Sequence, residues 1–455
     1  MHLSVRRLAA LALALGVCRT ILAHDLPPAP EWIPQAYPSS QAHAPTPLPD
    51  RIVLTWNDDP TTTQSVSFRT DTSVLQAFGE IVRAGDHGPT MAKEARRIAA
   101  RSVRFEAGET PFHQHTVVFE GLEPDTLYAY RVGDGVNWSP WAHFRTAARE
   151  AKPFRFIYFG DAQNDIRTHW TRVAHEAFRE APRAAFTLHA GDLINHGDAD
   201  TEWGEWFGAP GWVNGSVPVI ATPGNHEYKN RDGRKLSAFW RPQFAFPLNG
   251  PDGLGLDETV YYIDYQGVRI ICLNSNEKQA EQVPWLRKVL AENPGRWSIV
   301  TFHHPLFSPA AERDNPELRR LWKPVFDAFR VDLVLTGHDH TYARSGVLSD
   351  AALRERGTVV GTENVTKGYN QVYDPAIGTV YVVSVSGPKM YAITDRSWAR
   401  KMGENMQLFQ VITVDGDTLH YEARTATNRL FDAFTLEKRP GKANRLVEAM
   451  PADSR

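Results

Sequence analysis

Residues 331–345 read VDLVLTGHDHTYARS. Val331, Leu333, Val334 and Leu335 make a nearly unbroken apolar run of strand length, which exits through Gly337 onto two histidines one residue apart, His338 and His340. Similar runs lie upstream: FRFIYFGD (154–161), AAFTLHAGD (184–192), VPVIATPGNH (217–226), VRIICLNSN (268–276) and WSIVTFHH (297–304). Their spacing of roughly thirty residues is the length of a strand, a crossover helix and a return strand. Five of the six runs end within a residue or two in a group able to hold a metal: Asp161, Asp192, Asn225, His303, and His338 with His340. The carboxyl ends of parallel strands in an open α/β sheet line one crevice, where ligands bind. The spacing therefore predicts that these side chains converge.

Between the runs, THWTRVAHEAFREAP (168–182) sets Trp170, Val173, Ala174, Ala177 and Phe178 on one helical face. PWLRKVLAEN (284–293) and ELRRLW (317–322) read as further helices, the second interrupted at Pro324. The segments GTVYVVSVSG (378–387), LFQVITVDGD (408–417) and TLHYEAR (418–424) return to strand texture. The chemistry asks for these residue types: two cations about 3.5 to 4 Å apart need a bridging carboxylate and mixed oxygen and nitrogen ligands that leave room for water and substrate. Asp192 is the natural bridge. The chain has no G-x-x-x-x-G-K-[ST] loop, so a phosphate would be held by metals and side chains rather than by a glycine cradle.

Upstream, RIVLTW (51–56), SVSFRT (65–70), HTVVFEGL (115–122) and LYAYRVGDG (127–135) are short, β-branched and aromatic, and partly alternating. They predict a small all-β sandwich over residues 49–147. The preceding residues 24–48 form a Pro-rich lead-in. Residues 1–23 carry Arg6 and Arg7 ahead of an apolar stretch that is short for a bilayer span, with Ala23 as a cleavage point. They read as a signal peptide, which places the mature chain outside the cytoplasm, secreted or periplasmic, with Cys272 as a buried strand residue. A net charge of −3 offers no basic surplus for a polyanion, so nucleic acid is not an expected partner, and no later segment has the apolar length of a membrane span. Oligomeric state is left open.

The blocks GDAQ (160–163), GDLIN (191–195), GNHE (224–227), FHHP (302–305) and GHDH (337–340), in that order, resemble the five blocks of the calcineurin-like metallophosphoesterases. The β-domain in front, with the GNHEY and GHDHTYARS contexts, is most similar to the purple acid phosphatase branch and its fibronectin type III-like N-terminal domain. The resemblance implies a four-layer α/β/β/α catalytic sandwich over residues 152–437, with 438–455 as a C-terminal tail. It implies two metal ions, drawn from Fe, Zn or Mn. Asp161, Asp192 and His340 would hold the first, with Gln163 as a further ligand or water in its place, and Asp192, Asn225, His303 and His338 the second. His226 corresponds to the family histidine that contacts the phosphoryl group and protonates the leaving oxygen. Glu227 would orient that imidazole, and Asp339 would likewise support the ligands.

The implied function is hydrolysis of small phosphomonoesters by in-line attack of a metal-bound hydroxide. Phosphodiester hydrolysis is the alternative, because Asn195 stands where the purple enzymes place their tyrosine and Gln163 where other branches place a histidine. A surface binding protein with a vestigial metal site is the alternative of another class, and a nuclease a third. His304 reads as a substrate contact or a packing residue, Arg313 as a phosphate contact or a solvated arginine. Asn164 and Asn195 are further candidates for contacting substrate, Asn164 with Arg167 and His169 also reading as a helix start. Trp203 and Trp206 read as pocket wall or core.

Overall fold

The computed structural model describes residues 35–106, 110–229, 235–348 and 372–450. The proposed signal segment, Cys18 and residues 24–34 of the lead-in lie outside these residues. Two compact units divide the chain, Met1–Ala42 and His43–Arg455. In the first, residues 39–42 form a single helical turn. All that follows concerns the second.

The β-domain is a sandwich of two antiparallel four-stranded sheets. One runs Asp50–Thr55, Gln64–Asp71, Phe112–Phe119, Arg101–Phe105 in spatial order, and the other Arg96–Ala99, Phe78–Arg83, Leu127–Gly133, Ala142–Arg145. Val66 and Phe68 meet Ile81, Phe119, Tyr130 and Phe144 between the sheets, as their period-two spacing predicts. The opposite face of the same strand carries Ser65, Ser67 and Arg69, and these are buried as well. That face is covered because the sandwich docks on the following α/β domain. Val53, Trp56, Phe105 and Phe112 belong to the α/β domain's hydrophobic core, with the Phe105 and Phe239 rings edge to face at 4.6 Å.

The α/β domain holds two seven-stranded sheets. In the first, Val219–Ala221, Thr187–His189 and Phe154–Phe159 are parallel, and Leu408–Asp415, Thr418–Thr425, Leu430–Arg439 and Lys442–Glu448 continue it antiparallel. The second places Val268–Cys272, Trp297–Phe302, Leu333–Thr336 and Val380–Val383 side by side in parallel, flanked by Tyr261–Tyr265, Tyr342–Arg344 and Lys401–Gly403. Near-continuous apolar runs are required here because both faces of these strands are covered. Ile270, Ile299, Leu333 and Val382 face the first sheet, while Ile271, Val300, Val334 and Val383 meet Leu286, Trp322 and Phe326 of the helices Gln282–Ala291 and Pro316–Phe329. The helix Thr171–Glu180 buries Val173, Ala174 and Ala177 against the first sheet. Helix, sheet, sheet, helix is the layer order.

Two expectations are corrected. Residues from 438 do not form a tail: Leu430–Arg439 continues into a hairpin with Lys442–Glu448, whose residues pair with it at the edge of the first sheet. Pro324 does not interrupt its helix, which runs unbroken over Pro316–Phe329. Pro324 lies on the exposed face, where water can satisfy the carbonyl its missing N–H leaves open, while Trp322, Val325 and Phe326 hold the helix down.

Candidate metal centre

The ends of the two sheets are clipped together where the polar residues emerge. Asp161 bridges to Val385, and its carbonyl accepts the N–H of Ser386 at 3.0 Å and of Gly387 at 2.6 Å. The carboxyl ends of strands from both sheets thus open on one crevice. Close approach of the loops requires glycine: a Cβ on Gly224 would lie 2.1 Å from Asp192 Oδ1, and one on Gly337 would lie 2.1 Å from Asp161 Oδ1. Asp192 and His338 themselves take left-handed backbone conformations, φ 51° and 72°, the kind of strain that collects at functional sites.

Asp161, Asp192 and His340 are buried with their ligand atoms all within 4.8 Å of one another, and His303, His304 and His338 form a second such group beside them. His303 Nδ1 lies 2.9 Å from the Ala190 carbonyl and His340 Nδ1 lies 2.8 Å from that of Lys389. Each ring therefore donates outward from Nδ1 and turns a lone pair on Nε2 inward, the tautomer a metal needs. His303 Nε2 stands 3.1 Å from Asp192 Oδ2, 3.1 Å from Asn225 Oδ1 and 3.1 Å from His338 Nδ1. His340 Nε2 approaches Asp161 Oδ2 to 3.0 Å, yet that oxygen has no hydrogen-bond partner. A buried carboxylate oxygen left without a donor, among imidazoles that turn Nε2 inward, fits a bound cation. These clusters make a dinuclear metal-binding site.

Electrostatics agree. Burial lowers the proton affinity of His303, but the charges of Asp192 and Asp161 outweigh it and raise the group to about 9, a proton that an ion would displace. Burial, with His304, His303 and Arg313 nearby, pushes His338 well below the usual histidine range, leaving it neutral. Burial would raise Asp192, but His303 and His226 reverse the shift, and it stays a carboxylate.

Several residues have different partners from those expected. Gln163 is buried at the centre, but it is Nε2 that faces in, 2.9 Å from His340 Nε2 and 3.2 Å from Asp192 Oδ2, so as placed the amide braces the ligands rather than joining them. Glu227 does not touch the His226 ring. Its carboxylate accepts the backbone N–H groups of Asp192 (2.9 Å), Leu193 (2.8 Å) and Gly224 (2.6 Å), tying the second and third blocks together. His226 is oriented instead by the Asn195 carbonyl, 2.6 Å from Nδ1, and its Nε2 lies 4.0 Å from Asp192 Oδ2. The Asn195 side chain accepts from Asn164 Nδ2 at 2.9 Å. Asp339 is buried, raised to about 6 by that burial, and paired with Arg313 Nε at 2.8 Å; Arg313 also donates to the His338 carbonyl at 2.9 Å. His304, a substrate candidate in sequence, sits with the second ligand group, its Nδ1 2.8 Å from Ser275 Oγ. Trp203 and Trp206 are fully buried and pack in the core. Sequence reasoning missed Glu202, whose Oε2 accepts the N–H of Asn195 (2.7 Å) and His196 (2.8 Å). An acidic residue in the first turn of a helix just past the second block was its only signal.

Fold and site together define a class, and the comparisons with known proteins agree with it. Residues 154–342 match the calcineurin-like phosphoesterase family, and residues 49–146 match the purple acid phosphatase N-terminal domain. These two segments are thus similar to the calcineurin-like/purple acid phosphatase superfamily, an N-terminal β-sandwich followed by a phosphoesterase-type α/β domain. It is similar to an uncharacterized protein of Mycobacterium tuberculosis, 28% identical over 63% of this chain and 60% of the relative. It is similar also to purple acid phosphatase 15 of Arabidopsis thaliana, 25% identical over 60% of this chain and 53% of that protein. The chain thus spans little more than half the length of these curated relatives. In fold it resembles purple acid phosphatase PPD1 from yellow lupin seeds, with a TM-score of 0.69 and 19% identity over 87% of this chain and 76% of the other. PhoD superposes with a TM-score of 0.61 and 13% identity over 92% of this chain and 94% of its own. Among the described residues no helix is long and apolar enough to cross a membrane.

Proposed function

We propose that the protein hydrolyses small phosphomonoesters at this centre. The observation that carries the reading is the placement of His226. Its side chain is 28% exposed at the mouth of an otherwise buried ligand set, with Nδ1 fixed by the Asn195 carbonyl and Nε2 turned toward the Asp192 side of the site. When bound, two metal ions would polarise the phosphoryl oxygens and lower the pKa of water. The chain's own residues supply the rest. Asp192, whose Oδ2 is 3.1 Å from His303 Nε2 and which is grouped with Asp161 and His340, would hold both ions. With Nδ1–H already given to the Asn195 carbonyl, His226 can donate from Nε2 only while doubly protonated. Residues 1–23, read as an export signal, would place the activity outside the cytoplasm.

Phosphodiester hydrolysis is the second reading. The mouth beside His226 is bordered by the neutral Asn164–Asn195 pair, which suits a substrate with one fewer negative charge. Turnover of p-nitrophenyl phosphate and of bis(p-nitrophenyl) phosphate, after loading with Mn, Zn or Fe, distinguishes the two. The expected result is faster cleavage of the monoester, abolished in Asp192→Asn. Faster cleavage of the diester would replace the first reading by the second, and no turnover with any metal would remove both.

A further inference from the structure

The β-domain reaches His226 through a short chain of contacts, and the geometry points to Arg51, Asp200 and Glu202 as positioning residues for its imidazole, which makes the β-domain part of the catalytic apparatus. This rests on the reading of His226 as the proton donor.

Arg51 and Arg69 stand on neighbouring strands of the sandwich, their side chains 4% and 1% exposed. Buried guanidinium groups need partners, and both find Asp200, the first residue of the catalytic-domain helix Asp200–Gly208. Arg51 Nη1 donates to Asp200 Oδ1 at 2.6 Å, and Nη2 donates to Oδ2 and to the carbonyl, each at 3.0 Å. Arg69 Nη1 adds a bond to Oδ2 at 3.3 Å, while its Nη2 holds Asp50 at 2.6 Å and the His43 carbonyl at 2.8 Å. The His43 ring covers Gly204 one turn further on, where a Cβ would come within 2.5 Å of it. That contact accounts for a glycine inside a helix. The first turns of the helix are therefore clamped from the sandwich side.

Glu202 then turns back from this clamped turn. Its Oε2 takes the N–H groups of Asn195 and His196 at 2.7 and 2.8 Å, and Oε1 lies 2.6 Å from His196 Nδ1. The peptide so fixed carries the Asn195 carbonyl that receives His226 Nδ1 at 2.6 Å. Free to swing, that carbonyl would let the ring turn away from the leaving oxygen. Displacement by about 1 Å is enough to cost on the order of a hundredfold in such a geometry.

The test uses the full metal-loaded chain and compares kcat/KM for p-nitrophenyl phosphate, whose phenolate departs without a proton, with that for an alkyl phosphate, whose alkoxide needs one. Glu202→Ala, Arg51→Met and His226→Gln are each expected to lose about tenfold more on the alkyl ester than on the aryl ester. Glu202→Gln keeps an acceptor oxygen for both N–H groups and should stay near wild type on both. Metal content and thermal midpoint are measured for each variant. Equal losses on the two esters, tracking lost metal or a lowered midpoint, would mean a merely structural role and overturn the proposal. A selective loss in Glu202→Ala without one in Arg51→Met would overturn the part assigned to the β-domain. If only His226→Gln is selective, the positioning proposal fails while the proton-donor reading stands. If His226→Gln is not selective either, that reading fails and the proposal with it.

Discussion

Gly224 shows how little room a single residue has at this centre. Its Cα lies against the Asp192 carboxylate, and the same carboxylate accepts the His226 N–H at 2.9 Å through Oδ1. A methyl group there would push on backbone and ligand together, neither of which is the loose end of a flexible side chain. Gly224→Ala is therefore expected to leave the fold in place and to weaken metal binding at least tenfold, the scale on which changes just outside a ligand set act. Calorimetric titration of the apo protein with Zn or Mn reads this directly, and unchanged affinity would show that the loop can yield. At this scale much was legible: the residues that converge were those at the strand ends, and the glycines before them marked close approach. Glu227 was not, because a carboxylate that binds three backbone N–H groups depends on how two distant loops stack, and the side chain next to it in sequence was the wrong one to pair it with.

The helix Pro316–Phe329 makes the same point for an element. Its periodicity was readable on either side of Pro324, but an interior proline lacks its N–H and crowds the preceding turn, so the pattern reads as a break. Packing decides otherwise. Trp322, Val325 and Phe326 are fully buried against the second sheet, each contributing roughly 1.5 to 3 kcal/mol by burial, which exceeds what one lost hydrogen bond removes. Since Pro324 sits on the exposed face, Pro324→Ala should restore a hydrogen bond at no packing cost. Urea unfolding is expected to show a gain of about 1 to 2 kcal/mol, the helix gain less the entropy that proline removes from the unfolded chain. A loss would mean that the local bend is needed to seat the tryptophan. The hairpin strand Lys442–Glu448 is the complementary case: too polar to read as core, it is recruited because an open sheet edge was available to pair with.

For the whole molecule, buried histidines away from the metals set an acid limit. His115 lies in the β-domain with no exposure, between Thr70 Oγ1 at 2.8 Å and Ser102 Oγ at 2.7 Å. Burial lowers it to about 4, with a smaller contribution from His113. His189, packed among the rings of Phe159, Trp170 and Trp206, is lowered by burial to about 3. Both are neutral when folded and take up a proton near pH 6.5 when unfolded. Stability is then full above about pH 6.5, falls as the pH drops toward the folded values, and levels off below them. His115 alone accounts for a drop on the order of 3 kcal/mol. In His115→Gln, which keeps both hydroxyl contacts within reach, the difference in unfolding free energy between pH 7.5 and 4.5 should shrink by about 2 kcal/mol. An undiminished difference would place the acid sensitivity elsewhere.

The sequence by itself determined the six apolar strands that lead to the site and which polar groups stand at their ends, because strand periodicity and the glycine exits are local and survive without any tertiary information. It also determined the sandwich in front, from the alternation of Val66 with Phe68 and of Tyr128 with Tyr130. What only the tertiary structure decided is how groups far apart in the chain divide the work. The six apolar runs separate into two sheets whose ends meet at Asp161 and Val385, and His304 joins the second ligand group. Arg51 and Arg69 become buried partners of a helix some 130 to 150 residues away. Hydrogen bonds and ion pairs between distant segments leave no period in a sequence, since either partner alone reads as an ordinary polar surface residue until packing removes it from water.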